Sequence, residues 1–221
     1  MGLRYDLAVF DMDGVLTSAR SSWGYVHDEM GVSNEHSLKA FMDGEIDEDE
    51  FIKRDLALWL DKHPDFSIRE LVHILRTMPL TDGIQETVAC LQYNRIKCVI
   101  CSGGIEIAAR MLTEEYGFDG YAAVEFETDG DGVLTGGFVK HTDLGDKGIR
   151  TREFIKEFGT TPERTVTIGN SFTDVKMMEG TGMKIAFNPI DQNVIDVSDV
   201  VIRSGNISDV LDVILGSEER A

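Results

Sequence analysis

Asp11 and Asp13 stand at the end of an apolar stretch, Val9-Phe10-Asp11-Met12-Asp13-Gly14, with a single residue between the two carboxylates. Such a pair can supply a nucleophile and a proton carrier to one reaction, or it can cap a solvated turn. Three later clusters favour chemistry. Cys98-Val99-Ile100-Cys101-Ser102-Gly103-Gly104 ends a second apolar run in a hydroxyl and two glycines, a combination that can hold an anion ahead of a helix. Lys147 opens a helical stretch after a glycine-containing loop. Thr165-Val166-Thr167-Ile168-Gly169-Asn170-Ser171-Phe172-Thr173-Asp174 ends a third run in glycine and oxygen-bearing side chains.

The elements that must position these groups alternate along the chain. Apolar runs at 96–101, 165–168, 184–187 and 200–202 read as strands, and residues 84–92, 105–116, 147–158, 173–179 and 207–215 as helices. Strands separated by helices of this length pair in parallel through right-handed crossovers. In such sheets ligands sit just beyond the carboxyl ends of the strands. The stretch after the first strand departs from that rhythm. Phe51, Leu56 and Trp59, then Ile68, Leu71, Val72 and Leu75, follow helical spacing. Ser33-Asn34-Glu35 and Asp65-Phe66-Ser67 read as helix starts, with Pro64 at a break. Val124-Glu125-Phe126 and Val133-Leu134-Thr135 flank Asp129-Gly130-Asp131-Gly132 as a hairpin; the turn lacks the spaced ligands and terminal Glu of a calcium loop. The expected fold is α/β: a Rossmann-like parallel-sheet core of residues 1–17 and 78–221, a small helical cap at 18–77 inserted after the first strand, and a β-hairpin.

At 221 residues and 42% hydrophobic, the chain has the size for one core plus a modest insertion. No apolar run approaches the roughly 20 residues needed to cross a bilayer. The first six residues show no signal-peptide pattern. Cys98 and Cys101 lie three apart in a strand and so face opposite sides, which favours buried thiols over a redox or metal pair. With an odd three cysteines, a cytoplasmic location is expected. The net charge of −19 leaves no basic footprint for nucleic acid, and no membrane partner is expected. A small phosphate ester, held by local dipoles and a metal, is compatible with it. Acidic stretches at 43–55 and 125–131 read as solvated surface, and the five histidines show no metal-ligand spacing.

Taken in order, the four clusters resemble the signature of the haloacid dehalogenase-like phosphohydrolases over nearly the whole chain. The Ser-Gly-Gly motif and Met42-Asp43-Gly44 are most similar to the phosphoserine phosphatase branch. The resemblance implies that Asp11 is the nucleophile, forming an aspartyl-phosphate, and that Asp13 is the general acid and base. It implies that Ser102, with Gly103, and Lys147 hold the phosphoryl group. It also implies Mg2+ bound by the Asp11 carboxylate, the Asp13 backbone carbonyl and the residue after Gly169. That residue is usually aspartate and here is Asn170, so Asp174 is a candidate to compensate, directly or through a metal-bound water.

Substrate recognition departs from the branch. Counted without gaps from Asp11, the family glutamate that receives the substrate amine falls on Arg20, and the cap arginine that binds its carboxylate falls near Asp55, with Arg54 adjacent. Arg20 reverses the local charge and suits an anionic group on the substrate. The expected function is Mg2+-dependent hydrolysis of a small phosphorylated metabolite. The alternatives are a phosphate-binding module without turnover, a phosphomutase, and a phosphoserine phosphatase despite the altered cap.

Overall fold

The computed structural model describes residues 5–216. The first strand, β1 (Leu7–Phe10), is buried along its whole length, as a central strand covered on both faces must be. The chain then leaves the sheet for four helices: α1 (Ser22–Met30), α2 (Glu35–Met42), α3 (Glu48–Lys62) and α4 (Ile68–Leu75). Local signals fix their ends. Asp47 caps α3 at the Glu50 amide, and α3 stops at Lys62, just before Pro64. Ser67 and Glu70 form a reciprocal capping box at the start of α4. The segments entering and leaving this insert meet at an antiparallel bridge between Thr17 and Leu80.

The core continues as α5 (Ile84–Tyr93), β2 (Lys97–Ile105), α6 (Glu106–Tyr116), the hairpin strands β3 (Gly120–Thr128) and β4 (Leu134–Lys140), and α7 (Lys147–Glu157). It ends with β5 (Thr165–Gly169), α8 (Val175–Met178), β6 (Met183–Phe187), α9 (Gln192–Val197), β7 (Val200–Ile202) and α10 (Val210–Leu215). The seven strands form one sheet in the order β4-β3-β2-β1-β5-β6-β7, parallel except for the β3–β4 pair. In the hairpin turn, Asp129 Oδ1 accepts from the Asp131 and Val133 amides, so the Asp-Gly-Asp-Gly segment spends its carboxylate on its own turn. No described helix is long and apolar enough to cross a membrane.

The register brings the motifs together. Phe10 lies opposite Ile100 on one side and Ile168 on the other, so Asp11, Ser102 and Asn170 emerge at one edge of the sheet. Successive side chains pack on opposite faces: Ala8, Phe10, Cys98 and Ile100 join the cluster that extends under the helical insert, while Leu7, Val9, Val99 and Cys101 pack with Phe154 of α7. Cys98 and Cys101 are therefore separated by the sheet. Burial pushes both thiols up, Cys101 to about 11.

Three expectations about local structure are corrected. β2 does not end at residue 101 but runs through Ser102-Gly103-Gly104 to Ile105, which pairs again with Val124 after a register irregularity. The helix expected over 173–179 is a 3-10 turn, Phe172–Asp174, followed by the four residues of α8. The acidic stretch 43–55 is not all solvated surface, because Asp55 is 1% exposed. α1 and α9 were not anticipated; the six residues of α9 are too few to display a helical period.

Candidate active site

Asp11 follows β1 directly, and its amide donates to the Ile168 carbonyl in continuation of the sheet. Its Oδ1 accepts from Lys147 Nζ at 2.8 Å. Lys147 is the first residue of α7 and only 2% exposed, and its ammonium also donates to Asp174 Oδ1 at 2.7 Å. Burial and the Asp174 charge push the Asp11 carboxyl up to about 7, against the pull of Lys147. Burial alone would lower Lys147, but the two carboxylates outweigh it and raise it. Lys140, the neighbouring cation, goes instead to Glu48, Asp49 and Asp143.

Asp13 sits where the chain turns away at Gly14. Gly14 has φ of +76°, and a Cβ there would lie 2.0 Å from Asn170 Nδ2, so both conformation and space require glycine. Asp13 Oδ2 accepts from the amide and the hydroxyl of Ser22, each at 2.9 Å. Its Oδ1 is shielded and has no hydrogen-bond partner. Burial raises this carboxyl, opposed by the hydrogen bonds from Ser22. The contact depends on Gly104, where a Cβ would fall 2.7 Å from Asp13 Oδ2 and 2.6 Å from Ser22 Oγ.

Ser102 is buried, and its Oγ accepts from the Gly104 amide at 3.0 Å, which leaves the hydroxyl proton to donate. The Ile105 amide donates to Ser22 Oγ at 3.0 Å. The Gly104 and Ile105 amides are thus engaged by serine hydroxyls in this structure, and α6 begins only at Glu106.

The donors suit a hard divalent cation. The Asn170 carboxamide lies against the Asp13 backbone carbonyl, its Nδ2 donating there at 3.0 Å, and Asp11 lines the same cavity. Turning that amide over brings two oxygens together, an arrangement a cation between them favours. Asp174 is placed differently. Its Oδ1 holds Lys147, and its Oδ2 accepts from the amides of Asn170 and Ser171 at 2.8 and 3.1 Å. Both oxygens are thus occupied by the protein. Among the described residues no group of three or more His, Cys, Asp or Glu side chains is arranged to hold a metal.

Asp11, Asp13, Ser102, Gly103, Lys147, Asn170 and Arg20 all line one cavity of about 310 Å³ between the sheet edge and the helical insert. Arg20 is exposed at its mouth and forms no ion pair among the described residues. Arg54 does not reach the cavity; it pairs with Glu50 one turn back on α3. Asp55 does line it, and accepts from His27 Nε2 at 3.1 Å and Asn34 Nδ2 at 2.9 Å. Trp59 Nε1 donates to His27 Nδ1 at 2.8 Å, which leaves Nε2 to carry the proton toward Asp55. Sequence reasoning missed Ser22 and the buried role of Asp55. Tandem serines at the start of α1, with Ser21 capping the Gly24 amide, were the available signal for the first.

Residues 8–179 match the family model of the haloacid dehalogenase-like hydrolases. The chain is 31% identical over 204 residues to a phosphoserine phosphatase of Archaeoglobus fulgidus, covering 91% of this chain and 57% of that protein. It is 32% identical over 163 residues to a phosphoserine phosphatase of Mycobacterium tuberculosis, covering 72% of this chain and 39% of that one. The chain thus spans about half the length of these relatives or less. A substrate-bound phosphoserine phosphatase complex superposes with a TM-score of 0.81 at 24% identity, covering 95% of this chain and 98% of that one, a likeness of fold. With the motif residues gathered at one sheet edge, the chain belongs to the haloacid dehalogenase-like hydrolases and is phosphoserine phosphatase-like.

Proposed function

We propose that this chain hydrolyses a small phosphomonoester through an aspartyl-phosphate on Asp11. The observation that carries the reading is the buried pairing of Asp11 with Lys147 beside a second carboxyl, Asp13, whose Oδ1 has no partner. In the first step the free Asp11 oxygen attacks phosphorus and the ester P–O bond breaks. Asp13, whose carboxyl pKa burial raises above the ordinary value, gives its proton to the departing alkoxide. In the second step the now ionised Asp13 takes a proton from water as its oxygen attacks the same phosphorus, releasing phosphate and regenerating Asp11. Lys147 and the Ser102 hydroxyl hold phosphoryl oxygens, and Asp174 keeps Lys147 in place.

Mg2+ would be held by the Asp11 carboxylate, the Asp13 carbonyl and Asn170, where it neutralises phosphoryl charge. Arg20, free at the mouth, receives an anionic group of the substrate. A generic aryl phosphate tests the reaction itself. The wild type should release phosphate only with Mg2+ present, and Asp11→Asn should lose turnover by at least about 10³-fold while melting normally. Comparable hydrolysis by the variant would remove the covalent route.

A further inference from the structure

The walls of the cavity differ in character from its floor. Ten large apolar side chains are exposed among the described residues, and four of them, Leu38, Met42, Phe172 and Ile190, stand on the rim of this one cavity. They come from opposite lips. Leu38 and Met42 lie one turn apart on α2, so they share a face. Phe172 follows β5 and Ile190 follows β6. Phe51 and Ile52 of α3 add to the apolar lining of the same cavity. Exposed apolar groups scattered singly are ordinary; a group of them around one opening is not.

The two carboxylates in the same walls, Glu48 and Asp55, are already engaged by the protein. Glu48 accepts from the Leu144 amide and from Lys140, each at 3.1 Å. Asp55 is taken up by His27, Asn34 and Ser37. A polar leaving group would surrender its water and find these partners committed, whereas an apolar one loses nothing and covers the exposed wall. The occupant is identified by continuity. A phosphoester whose phosphorus sits at Asp11 must lay its leaving group along these side chains.

We propose, resting on the phosphomonoesterase reading above, that the substrate is the phosphate ester of an apolar alcohol, alkyl or aryl, whose hydrocarbon body lies between α2–α3 and the Phe172 and Ile190 loops. Any anionic group it carries projects to Arg20 at the mouth.

The test uses wild-type chain with Mg2+ and a series of n-alkylphosphonates, methyl, butyl and hexyl, whose C–P bond is not hydrolysed. Calorimetry gives each Kd. Burying a methylene is worth about a fourfold gain in affinity, so Kd should fall by about that factor per carbon once the chain meets the wall. Leu38→Ser and Phe172→Ser should each flatten the series while leaving methylphosphonate within about twofold. Equal affinity across the series, an unchanged slope in both variants, or no binding by any phosphonate overturns the inference. The matching alkyl phosphates, assayed for phosphate release, separate the two readings. Chain-length-dependent binding without any release would sustain the apolar site and count against the hydrolase.

Discussion

The amide and the hydroxyl of Ser22 both donate to the same oxygen of Asp13, each at 2.9 Å. Ser22 is the first residue of the first cap helix, so the buried Asp13 carboxyl of the core is held by the element that opens the cap. The same hydroxyl accepts from the Ile105 amide at 3.0 Å, at the far end of β2. One side chain thereby joins the turn after β1, the helical insert and the end of β2.

Ser22→Ala should therefore do two things. Hydrogen bonds to the ionised form lower a carboxyl pKa, so removing one raises Asp13 further above its ordinary value. A group that must be protonated then stays competent to higher pH, and the alkaline limb of kcat/KM should move to higher pH. The Ile105 amide also loses its acceptor, at a cost of about 1–3 kcal/mol. A pH–rate profile and a thermal melt read the two effects separately; an unmoved limb would show that Ser22 is merely structural.

Asn170→Asp should lower the Mg2+ concentration for half-maximal rate, because a carboxylate replaces a neutral ligand. Without metal the same variant should be less stable, since a carboxylate oxygen would face the Asp13 carbonyl that the amide now serves at 3.0 Å. Asp174→Ala should act through Lys147 and the Asn170–Ser171 amides, lowering kcat at saturating Mg2+ and the melting temperature together. Metal titrations of rate and of melting temperature distinguish these outcomes. Equal metal requirements for wild type and Asn170→Asp would place the cation elsewhere.

Mg2+ should stabilise the protein in a pH-dependent way. Asp11, at about 7 when folded, lies well above the ordinary value of roughly 3.9. The sign follows from this elevation: the group favours the folded state below pH ~4, and that contribution is lost as pH rises through about 7. A cation competes with the proton for this carboxylate, so its apparent affinity should be about 30-fold weaker at pH 5.5 than at pH 8. Melts at the two pH values, with and without Mg2+, should show the larger increment at pH 8. Equal increments would detach the cation from Asp11.

Arg20 predicts selectivity rather than rate. Its guanidinium repels an ammonium and pairs with an anion, so phosphoserine should be outperformed by an ester bearing only a second anionic group. Arg20→Glu should shift that ratio of kcat/KM by at least about tenfold toward phosphoserine. Neutral aryl phosphate should be hydrolysed as before, because Arg20 stands at the mouth and not on the floor. A ratio unchanged by the substitution would mean that Arg20 touches no substrate.

Much of the core was legible because its signals are local. Buried strands appear as apolar runs, and Gly14 and Gly169 mark where the chain leaves them. Parallel pairing then follows from the alternation with helices, and it places Asp11, Ser102 and Asn170 at one edge whatever the cap does. The reach of β2 through Ser102-Gly103-Gly104 was not legible, because two glycines read equally as a turn or as extended backbone.

The sequence by itself determined which groups could do chemistry and the order of elements that carries them, since residue type and period are properties of a segment. Only the tertiary structure decided which oxygen meets which donor. The clamp of Ser22 on Asp13 joins the turn after β1 to the first cap helix, and the commitment of Asp174 to Lys147 and the burial of Asp55 against His27 join residues 27 and 28 positions apart in the chain. Such contacts depend on what packs over a side chain. For a carboxylate, a covering layer and its donors decide between a solvated surface charge and a buried, hydrogen-bonded one.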